Sequence, residues 1–177
     1  GIALATSIMF VRVLIEIAVV NRALVRYAVI PLAAMPIATL AYCAYLFFSP
    51  RSEESDMPQF SNPFELTSAV KFGALYALIV LLVKAAEHYA GASAIYLVSV
   101  LSGLTDVDAI TLSISEAART GLDRAVAVRA ITIAVISNTC TKGALAFGLG
   151  SGLLRRHVGT AFGLAFAAGL VAMFFVK

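Results

Sequence analysis

Two aspartates lie in the middle of a long apolar stretch of this 177-residue sequence. Asp106 and Asp108 belong to the motif Gly103-Leu-Thr-Asp-Val-Asp-Ala-Ile-Thr111. Carboxylate and hydroxyl oxygens are hard ligands that suit Mg²⁺, Ca²⁺ or Mn²⁺. We therefore predict a divalent-cation (metal) site whose ligands are Asp106 and Asp108, assisted by Thr105 and Asn138. The alternative is that basic residues on other helices neutralise both aspartates, which then only hold the helices together.

A lysine in a second apolar stretch is the first predicted counter-charge. Lys142 ends the segment Ser137-Asn-Thr-Cys-Thr-Lys142, and it shares a helical face with Asn138 because the two residues are four apart. It is the predicted counter-ion of Asp106 or Asp108. The pair is either a permanent ion pair or a gating pair that a cation opens by competing for the aspartate.

A second counter-charge is predicted in the first apolar stretch, where Arg12 and Glu16 lie four residues apart on one helical face. They either neutralise each other or serve the cation site as further charged residues. The pattern Ser7-x-x-x-x-Arg12 recurs as Ser137-x-x-x-x-Lys142, 130 residues later (142 − 12). This recurrence predicts a diverged internal repeat, a feature of many secondary transporters.

The composition indicates where these charged residues lie. Apolar residues make up 61% of the chain and charged residues only 13%, against about 25% charged in a soluble domain. The mean hydropathy is +0.96, so the chain has too little polar surface for a cytosolic enzyme. The net charge of +3 comes from scattered residues, which argues against nucleic acid as a partner. No phosphate-binding loop or metalloprotease motif is present, and we predict a membrane protein that is not an enzyme.

The predicted fold is an all-α, polytopic transmembrane helix bundle. About 20 apolar residues span a bilayer, and six stretches qualify: about 2–20, 28–48, 64–84, 92–116, 126–149 and 159–176. Residues 1–49 hold the first two transmembrane helices, 50–63 a polar linker, and 64–177 a four-helix transmembrane unit with the aspartate motif. The fourth stretch either stays helical and lies inside the bundle, or breaks near Gly103 so that both carboxylates converge. The chain starts at Gly1 inside an apolar run, and we interpret it as part of a longer protein.

The basic residues do not predict an orientation in the membrane. If all six stretches cross, five basic residues fall on each side, which gives no positive-inside bias. One side would hold Arg22, Arg26, Lys84, Arg155 and Arg156, and the other Arg51, Arg119, Arg124, Arg129 and Lys177.

Several motifs together resemble the conserved C-terminal domain of large MgtC/SapB-type bacterial membrane proteins. They are Ser7–Arg12, Asn62–Leu66, Ala69–Phe72, Leu101–Thr111 and Ser137–Lys142. The resemblance implies a bacterial inner-membrane protein in which this domain follows an MgtC-like helical domain and pairs with an upstream half-repeat. It also implies either magnesium transport or the regulation of other membrane machinery.

These observations lead to two principal hypotheses of function. The first is an integral membrane protein that transports or senses a divalent cation, most simply Mg²⁺, with two halves or two copies of the chain around the site. The alternative is a non-transporting membrane regulator that binds another membrane complex through its helices. A proton-coupled organic solute is a third hypothesis, which the scarcity of aromatic residues around the motif disfavours.

Overall fold

The computed structural model describes residues 2–48, 91–149 and 152–176, together with residues 77, 81 and 85. Within these residues the chain forms helices and no strand, so the predicted all-α class is confirmed. The helices are α1 (Ile2–Val20), α2 (Arg22–Phe47), α3 (Gly91–Thr105), α4 (Asp108–Thr120), α5 (Arg124–Leu149) and α6 (Gly152–Met173). The predicted linker at 50–63 and, apart from residues 77 and 81, the predicted third span at 64–84 lie outside the described residues.

Local signals explain where the helices end. Asn21 separates α1 from α2: its N–H bonds the carbonyl of Ile17 at 2.7 Å and its carbonyl accepts from Leu24 at 3.0 Å. Gly121 ends α4 with a φ of 139°, a backbone conformation that residues with a Cβ rarely adopt. Asp123 begins the next helix, since its Oδ1 accepts the N–H of Val126 at 3.0 Å.

Two helices in the described part of the chain are long and apolar enough to cross a membrane. They are Arg22–Leu46 within α2 and Arg156–Met173 within α6. Helix α2 stays continuous although it contains Pro31 and Pro36, each of which removes one backbone hydrogen bond. The length and composition of both helices are compatible with a membrane location.

Contacts between helices establish their directions. Helices α2 and α6 are antiparallel, because Tyr42 lies against His157 while Met35 lies against Gly169. The side chain of Arg129, near the start of α5, donates to the carbonyl of Val176, just beyond the end of α6. Helices α5 and α6 are therefore antiparallel as well.

Helices α3 and α4 run in line rather than folding back on each other. Ser137, well along α5, donates to the carbonyl of Val100 in α3, and Asn138 donates to the carbonyl of Gly103, so α3 packs against α5. Helix α4 continues to the turn at Gly121 that leads into α5. The two short helices thus traverse the bundle together, antiparallel to α5.

One end of the bundle consequently holds the α1–α2 turn, the α4–α5 turn and the end of α6. Asn21 of the first turn donates to the carbonyl of Ser115 in α4 at 3.3 Å. We call this the arginine end, since it gathers five arginines: Arg22, Arg26, Arg119, Arg124 and Arg129. The count that assumed six crossings separated Arg22 and Arg26 from the other three, whereas in the described structure all five lie at one end.

The core lies where α1, α2, α4 and α5 meet. Its fully buried side chains include Phe10, Ile17, Leu32, Ile110 and Ile131. Helices α3 and α5 approach each other closely at Gly103, because an added Cβ on this residue would collide with the backbone of Ala134. Glycine at this position therefore sets how near the aspartate motif lies to α5.

Candidate functional site

The aspartate motif forms a break between two helices. Helix α3 ends at Thr105 and α4 begins at Asp108, so the predicted fourth span is divided between them. The N–H of Asp106 still bonds the carbonyl of Ser102 at 2.9 Å. Its Oδ1 then accepts the N–H of Asp108 at 3.2 Å. One aspartate thus serves the first amide of α4, much as a capping residue does.

A cavity of about 320 Å³ opens beside this break. It brings together the four predicted ligands, Asp106, Asp108, Thr105 and Asn138, from the break and from α5. Arg12 of α1 and Lys142 of α5 line the same cavity, with Ile8, Met9 and Val107 as its apolar neighbours. Of the residues predicted for the site, Glu16 does not line the cavity but contacts Arg12 beside it.

Asn138, which lines this cavity, carries a buried oxygen without a partner in the described structure. The residue is 6% exposed, and its Nδ2 donates to the carbonyl of Gly103 at 3.0 Å. That bond orients the amide and leaves Oδ1 buried with no hydrogen-bond partner in the described structure. An unsatisfied buried acceptor costs about 1–3 kcal/mol. A rotation of the side chain that brings this oxygen to a cation or a water in the cavity would recover this cost.

Arg12 is the ion-pair partner of Asp108. The aspartate side chain is 8% exposed and that of the arginine 59%, so the pair reaches from the interior to the rim of the cavity. The Nε of Arg12 lies 3.4 Å from Oε1 of Glu16. One guanidinium therefore bridges a carboxylate of α4 and a carboxylate of its own helix.

Lys142 contacts neither aspartate as an ion pair. Its Nζ lies 2.9 Å from Sδ of Met9, and a thioether is only a weak acceptor. Arg12, rather than Lys142, thus neutralises Asp108. Sequence reasoning missed Met9, because an uncharged residue in an apolar helix has no chemical pattern to identify it.

The charges of the cavity balance. Arg12 and Lys142 contribute two positive charges, and Asp106 and Asp108 two negative charges. The described residues contain no group of three or more His, Cys, Asp and Glu side chains that could hold a metal. A metal here would therefore bind through two carboxylates and neutral oxygens, which is how Mg²⁺ commonly binds since it retains several waters.

Helix α4 carries further polar groups after the break, toward the arginine end. The hydroxyls of Thr111 and Ser115 are fully buried and have no hydrogen-bond partner in the described structure. These residues lie three and seven positions after Asp108, and therefore on one side of α4. Polar character thus extends from the cavity toward the arginine end.

Fold and site together define the class: an all-helical protein whose charged side chains meet at an interrupted helix. The chain belongs to the family described as "Domain of unknown function (DUF4010)", whose model matches residues 1–150. The match includes every residue that lines the cavity. A protein from Aquifex aeolicus (strain VF5), named "Uncharacterized protein", is 29% identical over 160 residues, which cover 88% of this chain and 69% of the relative. No solved structure matches the chain.

Proposed function

We propose that this chain is a multi-pass protein of the bacterial inner membrane that transports or senses a divalent cation, with Mg²⁺ as the first candidate, and that it is not an enzyme. Outward-facing apolar side chains support the membrane location. Ile8, Ile15 and Val19 of α1 are between 58% and 79% exposed, and a large exposed apolar surface is typical of contact with lipid or protein. In lipid, the charged side chains that line the cavity at the helix break would lie between the two membrane faces.

The observation that carries the cation proposal is the convergence of Asp106, Asp108 and Asn138 on one cavity, together with the Oδ1 of Asn138, which is buried without a hydrogen-bond partner in the described structure. Two carboxylates, an amide oxygen and the hydroxyl of Thr105 form a set of hard oxygen donors. Such donors favour Mg²⁺, Ca²⁺ or Mn²⁺ over copper or zinc. The resemblance to MgtC/SapB-type proteins favours Mg²⁺ among these ions.

Arg12 gives the site a mechanism of cation exchange. In the described state its guanidinium neutralises Asp108, so an incoming cation must displace it from that carboxylate. Glu16 is already 3.4 Å from Nε of Arg12 and can retain the displaced guanidinium. Binding would then move the guanidinium of Arg12 from Asp108 of α4 toward Glu16 of its own helix, which loosens one contact between α1 and α4.

Flux through purified protein in proteoliposomes tests this proposal. Asp106→Asn and Asp108→Asn remove the negative charges and keep the size of the side chains, and each should abolish Mg²⁺ flux. Asp123→Asn is the matched control: it makes the same chemical change in the α4–α5 turn, where asparagine can still cap α5. Undiminished flux in both cavity variants, with folding verified by circular dichroism, would show that the aspartates are structural.

The complete site requires a partner in this proposal. We propose that a second copy of the chain, or an upstream half-repeat of a longer protein, faces the cavity and supplies further ligands. The resemblance to MgtC/SapB-type proteins supports the upstream half-repeat. Crosslinking through cysteines introduced at the rim of the cavity, in protein reconstituted at low density, distinguishes two copies from one.

A membrane regulator is the second candidate, and an apolar groove favours it. The groove lies between α1 and α2, has a volume of about 550 Å³, and is lined by Phe10, Leu14, Leu32, Pro36 and Leu40 among others. A transmembrane helix of another protein would fit such a surface. For a regulator we expect no flux from the purified chain, and loss of a co-purifying membrane partner when Ile37 at the groove is replaced by arginine.

A further inference from the structure

The arginine end of the bundle is strongly basic. Arg22, Arg26, Arg119 and Arg124 are exposed there, and Arg129 is half-buried. Glu116 and Asp123 are the described acidic residues at this end, which leaves an excess of three positive charges (5 − 2). At the opposite end, the exposed arginine among the described side chains is Arg156, next to the Tyr42–His157 contact.

The two acidic residues are engaged locally. Glu116 accepts two hydrogen bonds from Arg119, at 2.7 and 2.9 Å, and these bonds raise the pKa of the arginine. Asp123 accepts the amide of Val126 at the start of α5. Both carboxylates thus have partners within α4 or at the start of α5.

An aromatic residue lies among these arginines. The guanidinium carbon of Arg26 is 4.6 Å from the ring centroid of Tyr27, and that of Arg124 is 5.9 Å away. Tyr27 also lines a surface cavity of about 470 Å³ with Arg119, Asp123 and Arg124. Tyrosine flanked by arginine is typical of residues at the headgroup level of a bilayer.

We infer that the arginine end faces the cytoplasm and lies against anionic phospholipid headgroups of the inner leaflet. Short loops rich in Arg and Lys stay on the cytoplasmic side of bacterial membranes, and anionic lipids attract juxtamembrane arginines. This inference rests on the membrane location proposed above. It also gives the cation site a direction, because α4 then leads from the cavity to the cytoplasm over about 20 Å at about 1.5 Å per residue.

Accessibility of single cysteines tests the orientation. The natural cysteines, Cys43 and Cys140, are free and are replaced by alanine. Thr120→Cys then reports the arginine end, and Phe48→Cys reports the opposite end, where α2 finishes; both positions are exposed. In intact spheroplasts, a membrane-impermeant maleimide should label Phe48→Cys fully and Thr120→Cys less than about one-tenth as much. Permeabilisation should equalise the two.

Reversed labelling, or equal labelling of both sites before permeabilisation, would overturn the orientation. Carbonate extraction of the same membranes separates this failure from that of the proposed location. A chain that is washed off by carbonate contradicts the membrane proposal itself, whereas a retained chain with reversed labelling contradicts only the orientation.

Removing the charges tests their role. The combined change Arg22→Gln, Arg26→Gln and Arg124→Gln should raise the labelling of Thr120→Cys in intact spheroplasts several-fold, because the orienting charge is lost. Arg156→Gln, at the opposite end, is the matched control and should leave it unchanged. If the triple variant keeps the original labelling pattern, the arginines do not orient the chain.

Discussion

Gly103→Ala is the sharpest test of how the aspartate motif is held against α5. A Cβ at this position would meet the carbonyl oxygen of Ala134 and would lie 2.9 Å from its carbonyl carbon and Cα. These are backbone atoms, so no side-chain rotation relieves the collision. Ordinary contact begins at 3.4 Å, and the helices must separate until the carbonyl oxygen of Ala134, the nearest of these atoms, approaches that distance. That movement weakens the hydrogen bonds from Ser137 and Asn138 to α3.

The expected loss of stability follows from three contributions. Overpacking of a close contact costs about 1–3 kcal/mol. Two interhelical hydrogen bonds contribute about 1 kcal/mol together in a membrane protein, and alanine is favoured over glycine in a helix by about 1 kcal/mol. The last two contributions cancel, so we expect the free energy of unfolding to fall by about 1–3 kcal/mol.

The assay is reversible denaturation in detergent micelles, followed by circular dichroism, with other glycines as controls. Alanine at Gly159 or Gly163 meets no atom within 4 Å and should leave stability unchanged or raise it by up to about 1 kcal/mol. At Gly143 an added Cβ lies 2.7 Å from the ring of Phe162. That side chain can turn, so the loss should be smaller than at Gly103. If Gly103→Ala is as stable as the Gly163 variant, the close approach of α3 to α5 is refuted.

Three further variants test other contacts by the same denaturation assay. Arg12→Gln leaves the buried carboxylate of Asp108 unpaired and should lower the free energy of unfolding by about 1–3 kcal/mol. Adding Asp108→Asn should recover most of this loss, and no recovery would contradict the ion pair. Tyr42→Phe removes the 3.0 Å hydrogen bond to His157 and should cost about 1 kcal/mol, an effect that disappears if His157 is already replaced by phenylalanine. Gly121→Ala adds a Cβ to a residue with a φ of 139°, and this Cβ meets no atom within 4 Å. The change should lower the free energy of unfolding by about 1–3 kcal/mol through backbone strain alone. An unchanged stability would contradict this turn conformation.

Much of the candidate site follows from the sequence because charge is expensive in an apolar stretch. Asp106, Asp108, Asn138, Lys142 and Arg12 are each predicted from their polar character among apolar neighbours, and the structure brings all of them to one cavity. Helical spacing adds which residues share a face. The cation that this cavity would hold stays a prediction.

The pairing of charges within the cavity could not be read from the sequence. Arg12 and Lys142 carry the same charge and both lie within reach of the break, so composition does not distinguish them. The register between α1, α4 and α5 decides, and it brings the guanidinium to Asp108 and the ammonium to Met9. Register depends on side-chain packing, which a periodic pattern does not encode.

The grouping of five arginines at one end also could not be predicted from the sequence. Counting by predicted spans assumes that the chain changes sides at every apolar stretch. The hydrogen bond from Asn21 to the carbonyl of Ser115 instead holds the α1–α2 turn beside α4. This contact joins residues that are 94 positions apart, and the local prediction of each helix does not address contacts at such a separation.

The directions of the helices suggest why two basic side chains, Arg12 and Lys142, line a cavity whose positive and negative charges balance. Helix α1 ends at the arginine end and α5 begins there, so Arg12 and Lys142 approach the aspartates from helices that run in opposite directions. An inverted internal repeat would produce this arrangement, in agreement with the matching Ser-x-x-x-x-Arg and Ser-x-x-x-x-Lys patterns. Of Arg12 and Lys142, Arg12 is the one that forms an ion pair with a carboxylate in the described state. If the repeat relation holds, a second state should pair Lys142 with an aspartate and release Arg12, and the exchange between these states would expose the cavity to one face and then the other.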